Sequence, residues 1–142
     1  MKIITFTISL FFSSVAFCCS WAGDPTGGLS FMERAPKYIQ EATYIFIGEI
    51  KEYDWRSYPD AESDFKWHYH KIRSLEHFKG NAPDNIDYWP ATSCDEVFTD
   101  VGTKYVLFGY IYEGSIQFPL ISGAISLDYA REIGLLNVLR DL

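Results

Sequence analysis

The chain has 142 residues, with twelve Lys and Arg against nineteen Asp and Glu, a net charge of -7 and a pI near 4.8. That length holds one core and excludes a multidomain reading, while the acidic balance has the wrong sign for gripping nucleic acid or anionic lipid. Hydrophobic residues at 48% exclude a disordered chain, and an aromatic share of 18% predicts strands packed through rings.

The first residues carry an export pattern. Lys2 precedes the apolar run Ile3 to Phe12, interrupted only by Thr5, Thr7 and Ser9, and the small residues Ser13, Ser14, Val15 and Ala16 follow. This is the arrangement of a secretory signal, with polar side chains arriving too early for a span of about 20 apolar residues. A secreted or periplasmic protein is expected, with no membrane span. Three cuts fit the small-x-small rule, after Ala16, Cys18 or Ala22. Only the cut after Cys18 leaves an even number of cysteines, Cys19 and Cys94, in a compartment that favours oxidation. The expected division is therefore a signal peptide over 1–18 and one domain over 19–142. A lipid anchor at Cys18 is the alternative, opposed by the bulky Phe17 before it. Loss of Lys2 leaves eleven positive against nineteen negative residues, so the acidity belongs to the mature domain.

Gly23 to Ser30 is a connector of turn formers. Pro36 suits the first turn of a short helix, Lys37 to Ala42. Tyr44 to Lys51 is β-branched and aromatic and predicts a strand, followed by a hairpin-type connection over Tyr53 to Ser63. The next strand, Asp64 to about Phe78, alternates at first, with Phe65, Trp67 and Tyr69 on one side and Lys66, His68 and His70 on the other. Its parity then shifts at Ile72, Leu75 and Phe78, which predicts a β-bulge. A short strand over Asn85 to Trp89 ends at Pro90, and a loop carries Cys94. Lys104 to Tyr112 is the most apolar strand, with Tyr105, Val106, Leu107 and Phe108 covered on both faces. A last strand runs from Ser115 to Ile121. Ser126 or Asp128 then caps a helix with Ala130, Ile133, Leu136 and Leu139 along one stripe. Five strands, one long, bulged and bent, predict a mainly β fold: a five-stranded barrel with a short N-terminal helix and a C-terminal helix.

Several local stretches carry a family likeness. Ala42 to Ile50, "ATYIFIGEI", resembles the "ADAVFVGEV" first strand of the tissue inhibitor of metalloproteinases-like (netrin-like) family. Leu75 to Gly80, "LEHFKG", resembles its "LEVFKG" strand end, and Cys94, Phe98, Gly102, Tyr105, Val106, Leu107 and Phe108 follow its cysteine and "F..G..YLVF" pattern. The resemblance implies an oligonucleotide/oligosaccharide-binding (OB) barrel. Members typically begin the mature chain with Cys-x-Cys, each bridged to a later cysteine. Here Trp21 stands for the second cysteine and Ile121, in "LISG", stands for its partner. That paired loss implies that Cys19 and Cys94 keep the other bridge, closing a loop of about 75 residues worth roughly 4 kcal/mol of chain entropy.

The resemblance also implies an inhibitory edge at Cys19 and Ser20, where a free α-amine with a pKa near 8 chelates a protease zinc. The alternative function is thus metalloproteinase inhibition. His68 and His70, at i and i+2, are a weak candidate pair for a divalent metal, the plainer reading being a polar outer face. Phe65, Trp67 and Tyr69, with Tyr53, Trp55 and Tyr58 before them, form a candidate platform for stacking a sugar or peptide, the plainer reading being core and edge packing. No serine-nucleophile motif, phosphate loop or His-Glu zinc helix appears. The sequence predicts no enzyme and no cofactor, but a secreted binding domain whose partner is a protein or a small extracytoplasmic ligand.

Overall fold

The structure, a computed structural model, describes residues 26–59 and 64–142. The expected signal peptide, Cys18, Cys19, Ser20 and Trp21 lie outside the described residues. The elements run α1 (Phe31–Glu41), β1 (Tyr44–Ser57), β2 (Lys66–Lys79), β3 (Asn85–Tyr88), β4 (Lys104–Tyr112), β5 (Ser115–Gln117), β6 (Ala124–Ser126), α2 (Leu127–Glu132) and α3 (Leu135–Arg140). The fold is mainly β. Its antiparallel sheet has the order β3-β2-β1-β4-β5, and β6 shares the far edge of β4 with β5.

Bulges curl this sheet into a half-barrel. Along the β1–β2 ladder the register slips at three places, leaving Phe78 and Leu75 as extra residues on β2 and Lys51 on β1. The parity shift in the sequence of β2 is thereby explained, because each bulge bends its strand and increases the local twist. The two ends of the sheet, β3 and β5, meet through a side chain. Gln117 of β5 is buried at 6% exposure. Its Nε2 donates to the Trp89 carbonyl at 3.2 Å, and its Oε1 accepts from the Ala91 N–H at 3.1 Å. Beyond this staple, Asp95 bridges Pro119, the Glu96 N–H donates to the Phe118 carbonyl at 2.7 Å and the Leu120 N–H donates to the Cys94 carbonyl at 2.8 Å.

Alternation along β1 and β4 sorts the apolar residues into two cores. Phe46, Ile50 and Leu107 point into the concave side with Ile72, Ile86, Tyr88, Phe98 and Phe118. Ile45, Ile47, Val106 and Phe108 point outward, against Phe31, Ala35 and Tyr38 of α1 and Leu127, Leu135, Leu136 and Leu139 of the C-terminal helices. Covering both faces accounts for the unbroken apolar run in β4. Gly48 permits the close packing of the inner core, since a Cβ there would stand 2.5 Å from Leu107 Cδ1.

The structure corrects several expectations. α1 begins at Phe31, six residues before the expected helix, because Ser30 and Glu33 form a reciprocal capping box that starts it early. Pro36 lies within the helix on its exposed side. The stretch expected as a connection from Tyr53 extends β1 to Ser57, because its aromatic residues pair across to β2. The strand expected to reach Ile121 stops at Gln117, and a sixth strand, β6, follows. Ile121 itself adopts φ 76, a strained value for a β-branched residue. The single C-terminal helix is broken by Gly134 at φ 76, although the stripe of Ala130, Leu136 and Leu139 is buried as expected. Among the described residues no helix is long and apolar enough to cross a membrane.

Two residues of the "LEHFKG" stretch have clear structural tasks. The Lys79 ammonium donates to the carbonyls of Ile39 at 2.8 Å and Gln40 at 3.0 Å, capping the C-terminus of α1. Gly80 follows at φ 64, and a Cβ there would come within 2.7 Å of the Thr43 carbonyl oxygen.

Candidate functional site

The β1–β2 ribbon runs on beyond the helices and carries aromatic residues on both faces. Cross-strand pairs set Trp55 opposite His68, Tyr53 opposite His70, Arg56 opposite Trp67 and Asp54 opposite Tyr69. The Tyr58 N–H donates to the Phe65 carbonyl at 2.9 Å, closing the ribbon at its tip. Alternation then separates a face with Trp67 and Tyr69 from one with Tyr53, Trp55, His68 and His70.

On the first face the rings of Phe65 and Trp67 stack 5.7 Å apart at 21°. The Trp67 Nε1–H donates to the Pro90 carbonyl at 2.8 Å, which fixes the indole plane. Phe65 is 52% exposed and Tyr58 39%. These residues, with Pro90, Ala91, Thr92 and Ser93, line an open concavity of about 510 Å³. Tyr69 does not face it. This residue, expected to share the ligand-facing stripe, is 5% exposed. Its hydroxyl donates to Asp87 at 2.6 Å, and its ring lies between Trp89 and the Arg56 guanidinium, which stands 3.9 Å from its centre. Burial, reinforced by the bond to Asp87, pushes the Tyr69 phenol up to about 12.

The far wall is held by hydrogen bonds. Asp95 accepts from the Thr92 N–H at 2.8 Å and from its hydroxyl at 3.1 Å, while the Cys94 N–H donates to Thr92 Oγ1 at 3.0 Å. With Ala91 tied to Gln117, the segment after Pro90 is pre-organised rather than shaped by a ligand. The sequence pointed to Phe65 and Trp67 but not to this wall; its only sequence signal is the Pro90 that ends β3.

On the second face, His68 packs against Trp55 at 4.1 Å and its Nδ1 pairs with the Tyr53 hydroxyl at 3.2 Å. Burial lowers its pKa. His70 was expected on a polar outer face and is instead fully buried. The bulged, curling ribbon turns it into the concave core, against Tyr53, Tyr88 and Phe98. Its Nε2 accepts from the Phe98 N–H at 3.0 Å, and burial pulls its pKa down to about 4. The two imidazoles share a strand face, as their spacing predicts, but His70 has no ring nitrogen directed to solvent. Among the described residues no group of three His, Cys, Asp or Glu side chains gathers as a metal site.

Cys94 is half-buried at the edge of the same wall, next to Ser93. The expected partner Cys19 and the inhibitory-edge residue Ser20 lie outside the described residues. Among the described residues the lining offers flat rings, hydroxyls and no charged side chain, which suits adhesion to a neutral surface better than proton transfer. No protein-family model matches the chain, and no match appears among curated proteins.

Proposed function

We propose that this chain is an exported, non-catalytic binding domain of the OB-barrel type, similar to tissue inhibitors of metalloproteinases. It acts by holding a protein or a small extracytoplasmic ligand at the aromatic end of the β1–β2 ribbon. The observation that carries the reading is the concentration of exposed rings there, with Phe65 at 52% and Tyr58 at 39% lining one pre-organised concavity and Trp55 at 50% on the opposite face of the same ribbon end. Exposing large rings together has a solvation cost that a purely structural ribbon has no reason to bear.

Other features support the finer parts of the reading. The Gln117 staple brings the two ends of the curled sheet together, as a small barrel needs. The structural tasks of Lys79 and Gly80 give physical reasons for the stretch that resembles the family. Cys94 is not without a partner, as a bridge to Cys19 requires. Such a bridge would set the mature N-terminus beside Ser93. That placement keeps the second reading in view, metalloproteinase inhibition through Cys19. N-terminal sequencing separates the two: inhibition requires a start at Cys19, and a start at Gly23 removes it together with the bridge.

The binding reading is tested by expressing the full chain in its own exporting host and measuring how it co-fractionates with extracytoplasmic material. Phe65→Ala and Trp67→Ala are each expected to weaken that association about tenfold, the equivalent of one lost ring contact. Unchanged association of both variants would remove the aromatic end as the contact surface.

A further inference from the structure

We infer that the aromatic concavity takes a neutral saccharide chain, laid flat against the exposed face of Phe65, which Trp67 backs; the inference rests on the binding reading above. Three observations lead to it.

The first is charge. Among the described residues no Lys, Arg, Asp or Glu side chain lines the concavity. Arg56, the cross-strand partner of Trp67, is engaged by Glu52 and lies over the Tyr69 ring. Among these described residues an anionic ligand would find no cation, and a cationic one no carboxylate.

The second is the state of the donors. Extended, proline-rich peptides dock on aromatic grooves when side-chain N–H and O–H groups reach their carbonyls. Here the Trp67 Nε1–H is committed to Pro90, the Ala91 N–H to Gln117 and the Thr92 N–H to Asp95. The indole donor and the backbone donors of the wall are thus spent, and what remains to a ligand is the ring faces with the hydroxyls of Tyr58 and Ser93.

The third is shape. Phe65 and Trp67 stack 5.7 Å apart at 21°, so that the indole, its plane fixed by its own hydrogen bond, backs the half-exposed Phe65 ring and holds it as a plate. One face of a pyranose ring presents axial C–H groups with partial positive charge, which match the negative π-face of an aromatic ring. Its equatorial hydroxyls point sideways, toward the open hydroxyls of Tyr58 and Ser93 and toward water. A pre-organised plate also costs little ordering on binding.

The test is affinity electrophoresis of the mature protein through gels containing hydroxyethylcellulose or galactomannan, both neutral, with a proline-rich decapeptide titrated in parallel by tryptophan fluorescence. Retardation by at least one polysaccharide is expected, weakened about tenfold by Phe65→Ala and by Trp67→Ala and unchanged by Val101→Ala, an exposed residue outside the concavity. Phe65 is half exposed, so its removal should leave the circular dichroism spectrum as it is and separate lost binding from lost fold. No retardation in either gel overturns the saccharide inference. Decapeptide binding that Phe65→Ala abolishes also overturns it, but leaves the binding reading standing. Retardation indifferent to both ring substitutions overturns the inference and the binding reading together.

Discussion

Replacing Phe118 by alanine should cost about 4 kcal/mol of folding stability, the largest single-site effect expected in the domain. Phe118 is fully buried. Its ring sits 4.9 Å from Tyr88, 6.0 Å from Phe98 and 6.2 Å from Phe46, so it touches β1, β3 and the loop before β4 at once. Its carbonyl also accepts the Glu96 N–H. Truncation would open a cavity lined by three rigid rings, a site that cannot easily collapse, which places the cost toward the upper end for an aromatic deletion. Urea unfolding should show a lowered midpoint with an unchanged slope. A loss below about 1 kcal/mol would mean that the concave core is not closed around this ring.

His70 should make the domain lose stability in acid. Its ordinary pKa of 6.5 applies to the unfolded chain, whereas burial holds the folded value at about 4. Between those limits the unfolded state binds the proton and the folded state does not. Stability is therefore complete above pH 6.5, declines as pH falls toward 4 and levels below it, a loss of about 3 kcal/mol from this one group. The structural reason is specific. Protonation converts Nε2 from acceptor to donor, breaking its bond to the Phe98 N–H, while Nδ1 is already buried without a hydrogen-bond partner. Urea midpoints measured from pH 7.5 to 4 should fall more steeply for the natural protein than for His70→Gln. Parallel curves would contradict the buried, neutral imidazole.

How much of this was legible in the sequence depends on the range of the interaction involved. The apolar strand Lys104 to Tyr112 was recognisable, because covering both faces leaves a continuous hydrophobic run that no distant contact is needed to interpret. The bulge was legible too, as a clash between period two and the positions of Ile72, Leu75 and Phe78. The orientation of His70 was not. Alternation assigns it to the face of Lys66, and only the curl produced by the three register slips turns that face into the core at this point. The extension of β1 through Trp55 was hidden for a related reason: Asp54, Arg56 and Ser57 look like a connection until their partners on β2 are known.

The candidate site divides in the same way. Phe65 and Trp67 announced themselves by spacing and ring type. Tyr69 shares that spacing yet is covered by Arg56 and Trp89, which arrive from other strands. The wall from Pro90 to Ser93 takes its form from Gln117 and Asp95, and the reach to Gln117, more than twenty residues further along the chain, left no local pattern to read.

The proposal that the chain works by binding through its aromatic end is tested most directly by hydroxyl-radical footprinting of the exported protein, in the extracytoplasmic fraction that holds it and again after purification. Tyr58, Phe65 and Trp67 should be protected in the first setting and readily oxidised in the second, while the exposed Tyr112 and Tyr129 oxidise alike in both. Equal oxidation of Phe65 and Trp67 in the two settings would contradict the account.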